Sequence, residues 1–546
     1  MSEKKKGLIK SFPVTYWVAI LMEFFERGSY YGVMSILSIY MVNKLGFSKE
    51  NVGLIKGTIQ PILYFLPIVS GALADRFGYR RTLLVAFTFL SGGYLLASQM
   101  TSYSALFLAL CVMAIGAGTF KPVISGTIAR VTDEKTSTLG FGIFYWTINL
   151  GAFLFPLFLV PYLKQADPTW RWVIIAAAIG TGIMIIPTLL FYKQPEMPED
   201  KEKKDLMQTL ASAFEIIYSP VVLLFIKAKK LAKSATLVYG ISTVILALAV
   251  YNFVANGSFV LLFVMMIVFG SYFVMTVTAG KMKKTPSQIA LFAIVALIIW
   301  LLPNLSIFAR ILSSIIYFTV FSLFKIETSD EAKFVDFFHF LLLIVIYSGF
   351  WVLYFQMFDS VLWYVQDYVD AGQLDGAVNK IFAFFGSSYQ WHFDVEHVTV
   401  INAGTIILLQ LIVSAIVKNT KALPTMMVGI GIATFGMAML AISANIWVFM
   451  LGIVFFSIGE MSAHPKFISY VGQTAPKERL ATYMGYIFLY GVIGSSVGAV
   501  VGSRLYVKFV DNMNQPRTLW LIFASIGLAT IVGLTLYNKF IAKGNK

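Results

Sequence analysis

The chain has 546 residues, of which 58% are hydrophobic and only 13% charged, with a formal net charge of +15 and a mean hydropathy of +0.79. Globular chains average roughly 45–50% apolar and about 25% charged, so this charge cannot cover a water-soluble surface of such size, and the solvent is lipid. The basic excess sits in short clusters between apolar runs, which fits membrane topology and not nucleic-acid binding; the one cysteine, Cys111, excludes a disulfide framework and a Cys-based metal site.

Apolar stretches long enough to cross a hydrocarbon core of about 30 Å recur along most of the sequence. They predict an all-α polytopic membrane protein, since the alternation of β-barrel strands is absent. Spans near 14–42, 51–74, 83–99, 104–130, 138–163 and 172–191 make a first six-helix bundle, residues 1–191. The basic start resembles a signal peptide, but Glu23, Glu26 and Arg27 inside the first span and the lack of a small-residue cleavage site favour a retained helix. Lys4, Lys5, Lys6 and Lys10 before that span place the amino terminus in the cytoplasm.

Residues 192–335 read as a basic cytoplasmic linker with an amphipathic segment near 206–226 and more apolar sequence than a linker needs. Runs at 236–255 and 259–279 form a hairpin closed by Asn256-Gly257-Ser258; 288–303 and 305–324 are shorter or broken at Pro303-Asn304. Both halves begin on the cytoplasmic side, so the number of extra crossings is even: two are expected, with four the alternative. A second bundle, 336–546, follows with spans near 336–365, 399–417, 423–442, 446–472, 481–508 and 518–541, which leaves both termini cytoplasmic. Paired halves of this kind are a transporter layout.

Ionisable groups deep in a span are expensive and mark pathways or sites. In the first span Glu23, Glu26, Arg27, Tyr30 and Tyr31 recur at intervals of three and four and share a face, with Glu23 and Arg27 expected as a stacked i,i+4 pair. Carboxylates beside a guanidinium in a partly dry cavity can exchange a proton as the arginine changes partner; the bland alternative is a static ion pair holding helices together. Lys121, before the helix-opening Pro122, and Glu460, with His464 as an alternative local partner one turn on, supply a cation in one half and an anion in the other. A zwitterion with separated termini fits both. Asn149 and Asn402 offer amides to a peptide bond or to neighbouring helices, and Tyr64, Trp351, Tyr354 and Gln356 are candidates for the same cavity. No phosphate loop, zinc-protease helix, nucleophile elbow or dinucleotide fingerprint is present in its required context, so no enzyme activity and no cofactor is expected.

Several segments resemble a known family. Gly71-Ala-Leu-Ala-Asp75-Arg76-Phe-Gly78-Tyr-Arg80-Arg81 resembles the loop motif of the major facilitator superfamily, in which Asp75, Arg76, Arg80 and Arg81 would latch a cytoplasmic gate. Glu23-Phe-Phe-Glu26-Arg27-Gly-Ser-Tyr30-Tyr31-Gly32 is similar to the signature of proton-dependent oligopeptide transporters, as are Phe144-Tyr-Trp-Thr-Ile-Asn149-Leu-Gly151, Phe350-Trp351-Val-Leu-Tyr354-Phe-Gln356 and Gly459-Glu460-Met-Ser-Ala-His-Pro465. The resemblance implies a major facilitator fold of two six-helix bundles with an added hairpin, and a monomer in the bacterial plasma membrane that carries di- and tripeptides with protons, driven by the proton gradient. It implies that Glu23, Glu26 and Arg27 couple protons, that Arg27 and Lys121 hold the peptide carboxylate, that Glu460 holds its amine, and that Tyr30, Tyr31, Tyr64, Asn149, Trp351, Tyr354, Gln356 and Asn402 complete the substrate site. The chain departs from the family at Met34, where many relatives are basic, and at Phe355, where many carry an acid, with Asp359 one turn later. A different small zwitterion or anion, or a transporter-like receptor without turnover, are the alternatives.

Overall fold

The structure, a computed structural model, describes residues 12–133, 136–195, 331–475 and 480–542. The expected linker hairpins lie outside the described residues. Eleven described helices are long and apolar enough to cross a membrane. With α1 (Val14–Ile39), whose apolar run is interrupted by Glu23, Glu26 and Arg27, they make twelve, six on either side of the linker.

The first six spans are α1; α2 (Lys49–Phe77); α3 (Tyr79–Gln99); α4 (Tyr103–Val131); α5 (Ser137–Leu154), continued through a π-helical turn into α6 (Val160–Ala166); and α7 (Arg171–Ile183) with α8 (Ile185–Leu190). The second six are α9 (Glu331–Gln356) with α10 (Ser360–Tyr368); α12 (His397–Val417); α13 (Ala422–Ile442); α14 (Ile446–Thr474); α15 (Leu480–Ile487) with α16 (Leu489–Tyr506); and α17 (Pro516–Phe540), while α11 (Gly372–Phe384) lies in the connection before α12. Short connections make successive spans antiparallel. We call the end where α1 starts basal and the end where it finishes distal.

Local chemistry sets the boundaries. The Ser48 side chain caps α2 by accepting the Asn51 N–H at 3.2 Å, and Asn445 caps α14 by accepting the Trp447 N–H at 2.9 Å, each satisfying an otherwise orphaned donor. Gly78, with φ +91°, makes the turn between α2 and α3 that only glycine adopts freely. Large apolar side chains such as Leu408 and Leu411 on α12 stand exposed, which suits lipid and not water.

Both six-helix groups belong to one compact unit, which α9 enters at Ile344. The groups meet where α2 packs on α16 and α5 on α12. Along the first seam the α2 backbone approaches α16 closely: a Cβ on Gly53 would collide with Ser503 Oγ and stand 2.7 Å from the Ala499 carbonyl, and one on Gly57 would lie 2.6 Å from Val500 Cγ2. The seventh span, expected as one helix, breaks at Met357–Asp359 between α9 and α10. This frees the Phe358 carbonyl for partners elsewhere, as interrupted membrane helices do where protein buries them.

Candidate substrate and proton site

The face of α1 that the sequence singles out is buried at Glu23, Glu26 and Arg27. The expected Glu23–Arg27 pair is present, and a closer partner joins it. Glu26 grips the guanidinium more tightly than Glu23: Arg27 Nη2 donates to Glu26 Oε1 at 2.6 Å and Nε donates to Oε2, while Glu23 Oε1 pairs at 3.7 Å from Nε. Adjacent residues rarely face one another on a helix, but a long buried arginine can fold back on its neighbour while still reaching the carboxylate one turn away. The guanidinium carbon lies 5.0 Å from the Tyr30 ring centroid. Two carboxylates thus share one arginine, and the balancing cation is Lys121, within electrostatic reach of Glu23, Glu26 and Arg27.

Lys121 Nζ stands 5.1 Å from the centroid of the Tyr64 ring. Tyr64 in turn packs on Phe355 at 5.9 Å, Tyr490 at 6.2 Å and Trp351 at 6.4 Å, so the first half's cation is carried by one ring to the second half's aromatic wall. In that half Glu460 is held by Asn402, whose Nδ2 donates to Glu460 Oε2 at 3.3 Å and to Ser457 Oγ at 2.8 Å. His464 does not take Glu460; its Nδ1 engages the Tyr347 hydroxyl at 3.2 Å. Tyr31 is within electrostatic reach of both Arg27 and Glu460, and Tyr354 of Tyr31, Tyr64 and Glu460. Arg27, Lys121 and Glu460 therefore converge on one group of tyrosines between the halves.

One expected contributor is spent on structure and a second in part. Gln356 is fully buried; its Nε2 donates to the carbonyls of Val352 and Gly498, each at 2.9 Å, and its Oε1 accepts from Ser360 at 2.7 Å. This corrects its place among the substrate contacts: it is a helix-to-helix link with no donor left over. Asn149 is half-buried and donates one N–H to the carbonyl of Tyr145 at 3.0 Å, within its own helix, which leaves its second N–H and its amide oxygen for a ligand. The loop motif works inside the first half. Asp75 Oδ1 accepts from Arg130 at 3.2 Å and from Tyr79 at 3.1 Å; Arg80 donates to the carbonyls of Leu189 and, at 3.2 Å, Thr188; Arg76 lies over Phe77, and Arg81 is exposed. The motif thus ties α2, α3, α4 and α8 at their basal ends.

A second charged cluster, not foreseen from sequence, closes the distal end. Lys56 Nζ on α2 pairs with Asp359 Oδ1 at 2.5 Å and donates to the Phe358 carbonyl at 2.7 Å and Ser38 Oγ at 2.9 Å. Ser38 also bonds Asp359 at 2.6 Å. Lys56 and Asp359 are each 1% exposed, and Asp359 Oδ2 is buried without a partner. Asp359 is the acid the sequence offers one turn after Phe355; its partner Lys56 was not foreseen, and a lysine several residues inside a predicted span was the signal available. Nearby, Lys164 Nζ pairs with Asp394 at 2.5 Å and Glu396 at 2.7 Å, and Lys49 with Asp511 at 2.7 Å. Glu396, just before α12, is nearly fully buried, and that burial pushes its carboxyl up to about 7 against the opposing pull of Lys164. Every one of these pairs joins the first half to the second. Among the described residues no cluster of His, Cys, Asp or Glu fits a metal ion.

A profile of the Major Facilitator Superfamily matches residues 19–338. Dipeptide and tripeptide permease B of Photorhabdus luminescens is 30% identical over 190 residues, which are 34% of this chain and 38% of that protein. An uncharacterized transporter of Bacillus subtilis, YclF, is 33% identical over 143 residues, 25% of this chain and 29% of that one. The chain thus spans less than half the length of these curated relatives. Two solved structures superpose along nearly the whole chain: a peptide transporter of the POT group in complex with sulfate, with TM-score 0.63, 18% identity and 99% of each chain covered, and a POT family transporter in complex with a thioalcohol-conjugated peptide, with TM-score 0.63, 20% identity and 98% and 100% covered. At that identity the likeness is one of fold, and it agrees with the two six-helix bundles described above. The profile match extends over more than half of the sequence, and the chain belongs to the Major Facilitator Superfamily.

Proposed function

We propose that the chain is a proton-coupled symporter of di- and tripeptides that works by alternating access in a bacterial plasma membrane, as a monomer with both termini cytoplasmic and no cofactor. One observation carries the reading: Arg27 and Lys121 from the first half and Glu460 from the second converge on the same tyrosines, an arrangement matched to a ligand with an anionic end and a cationic end. Relatives named for dipeptide and tripeptide transport support the substrate class.

The mechanism follows from the charge count. Glu23 and Glu26 compete for Arg27, and a proton on either carboxyl removes one claim on the guanidinium. Arg27 and Lys121 then take the substrate carboxylate, Glu460, held by Asn402, takes the amine, and the site becomes electrically satisfied. Conversion between states requires the Lys56–Asp359 contact to open, because it spans the halves at the distal end. The pairs that join the halves at the distal end support the reading that this state opens toward the basal, cytoplasmic side.

Purified full-length protein in liposomes with an inward pH gradient tests the reading. Dialanine accumulates with measurable proton flux, and Glu23→Gln loses gradient-driven uptake while retaining counterflow exchange. Equal loss of both activities makes Glu23 structural. Uptake that no di- or tripeptide inhibits moves the substrate to another zwitterion or anion, and absence of any flux points to a receptor.

A further inference from the structure

We infer that His464 reads the side chain of the substrate's amino-terminal residue and favours one ending in a hydrogen-bond acceptor, a carboxylate or an amide oxygen; this rests on the peptide reading above. His464 follows Glu460 by one helical turn on α14, so the two share a face and stand about 6 Å apart along the axis. That spacing suits a ligand whose amine sits at Glu460 and whose aspartyl, glutamyl or glutaminyl side chain extends along the helix. Tyr490 lines both positions, with its ring 5.5 Å from the imidazole and within electrostatic reach of Glu460.

The surroundings of the ring fix what it offers. Trp351 meets it edge-on at 5.1 Å, and Tyr347 lies parallel to it with centroids 6.5 Å apart. Tyr347 is itself clamped on Phe467 at 4.1 Å, which holds its hydroxyl in place 3.2 Å from Nδ1. A phenol is a good donor to imidazole nitrogen; with Tyr347 as the donor of this bond, Nδ1 accepts and the imidazole proton is assigned to Nε2. His464 is half-buried, and among the described residues its Nε2 neither bonds to a protein group nor counts as a sealed, unpartnered atom. It is an N–H left without a partner among those residues, inside an aromatic frame and one helical turn from Glu460. A leucyl side chain in that frame leaves the donor unmatched, whereas a carboxylate or amide oxygen satisfies it.

The test is competition against dialanine uptake in liposomes by glutamyl-alanine, glutaminyl-alanine and leucyl-alanine, with wild type, His464→Leu and His464→Gln. Wild type prefers the glutamyl and glutaminyl competitors over leucyl-alanine by about tenfold. His464→Leu levels the ranking, and His464→Gln, which keeps a side-chain N–H, retains part of it. The readout is the ratio between competitors, which a general loss of activity does not move. Equal inhibition by all three in wild type, or an unchanged ranking in His464→Leu, overturns the role of His464 while leaving peptide transport standing; failure of wild type to take up dialanine overturns the peptide reading and this inference with it.

Discussion

Arg27 and Glu26 sit one residue apart on a single helix, whereas Lys56 and Asp359 face one another across the boundary between the halves. Both pairs are buried ions with hydrogen bonds, yet they answer to different events. No rigid movement of one half against the other changes the first, so only a proton or a ligand can alter it. The second must come apart whenever the distal ends separate, so motion itself is its switch. A transporter needs both kinds: one that senses chemistry and one that reports geometry.

The largest effect expected from this division is on the α1 pair. Glu26→Gln removes the carboxylate that grips Arg27 and reduces gradient-driven uptake to background in the liposome assay, with exchange retained. If Glu26→Gln keeps gradient-driven uptake, Glu23 alone carries the proton-sensitive claim on Arg27. Next comes the distal lock. Asp359→Ala leaves Lys56 buried without its anion and costs about 3–5 kcal/mol, read as a fall in the unfolding midpoint in detergent, while Lys56→Met combined with Asp359→Leu recovers most of it. A single variant as stable as wild type denies that this pair closes the distal end.

The smallest effect concerns Glu396. Its carboxyl is pushed up to about 7 in the folded chain, above the usual carboxylate value, because burial disfavours its charge. Folding therefore takes up a proton at this site. The associated stability is complete at acid pH, below the ordinary carboxylate pKa, and is lost as pH rises through about 7. Relative to Glu396→Gln, wild type should lose stability between those limits with a slope of at most about 1.4 kcal/mol per pH unit. Parallel curves for the two proteins would place Glu396 in a wetter setting than the structure gives it.

How much of this was legible in the sequence depends on the range of each interaction. The spans followed from apolar length, and the central site from polar residues recurring on one face of α1, since helical periodicity is local information. Lys56 and Asp359 lie 303 residues apart, and Lys164 and Glu396 lie 232 apart; a single sequence contains no term that pairs them. Lys56 and Lys164 each sit within a few turns of a span end, where a lysine ordinarily needs no partner because it reaches the interface. Gln356 failed for the opposite reason. Its motif was recognisable, but whether an amide faces a ligand or a neighbouring helix depends on how closely that helix approaches, and Gly498 and Gly502 let it approach closely enough to use the amide up.

The seam between α2 and α16 bears on how such a molecule can move at all. Where knobs and holes interlock on both sides, a change of angle must first unmesh them; at Gly53 and Gly57 one side offers no knob, so the Ser503 and Val500 side chains rest directly on the α2 backbone. Gly53 and Gly57 therefore make this contact behave as a bearing, able to stay in touch while the ends on either side swing. An alanine at Gly53 would act as a shim in that bearing, stiffening every conformational exchange without touching a single charge.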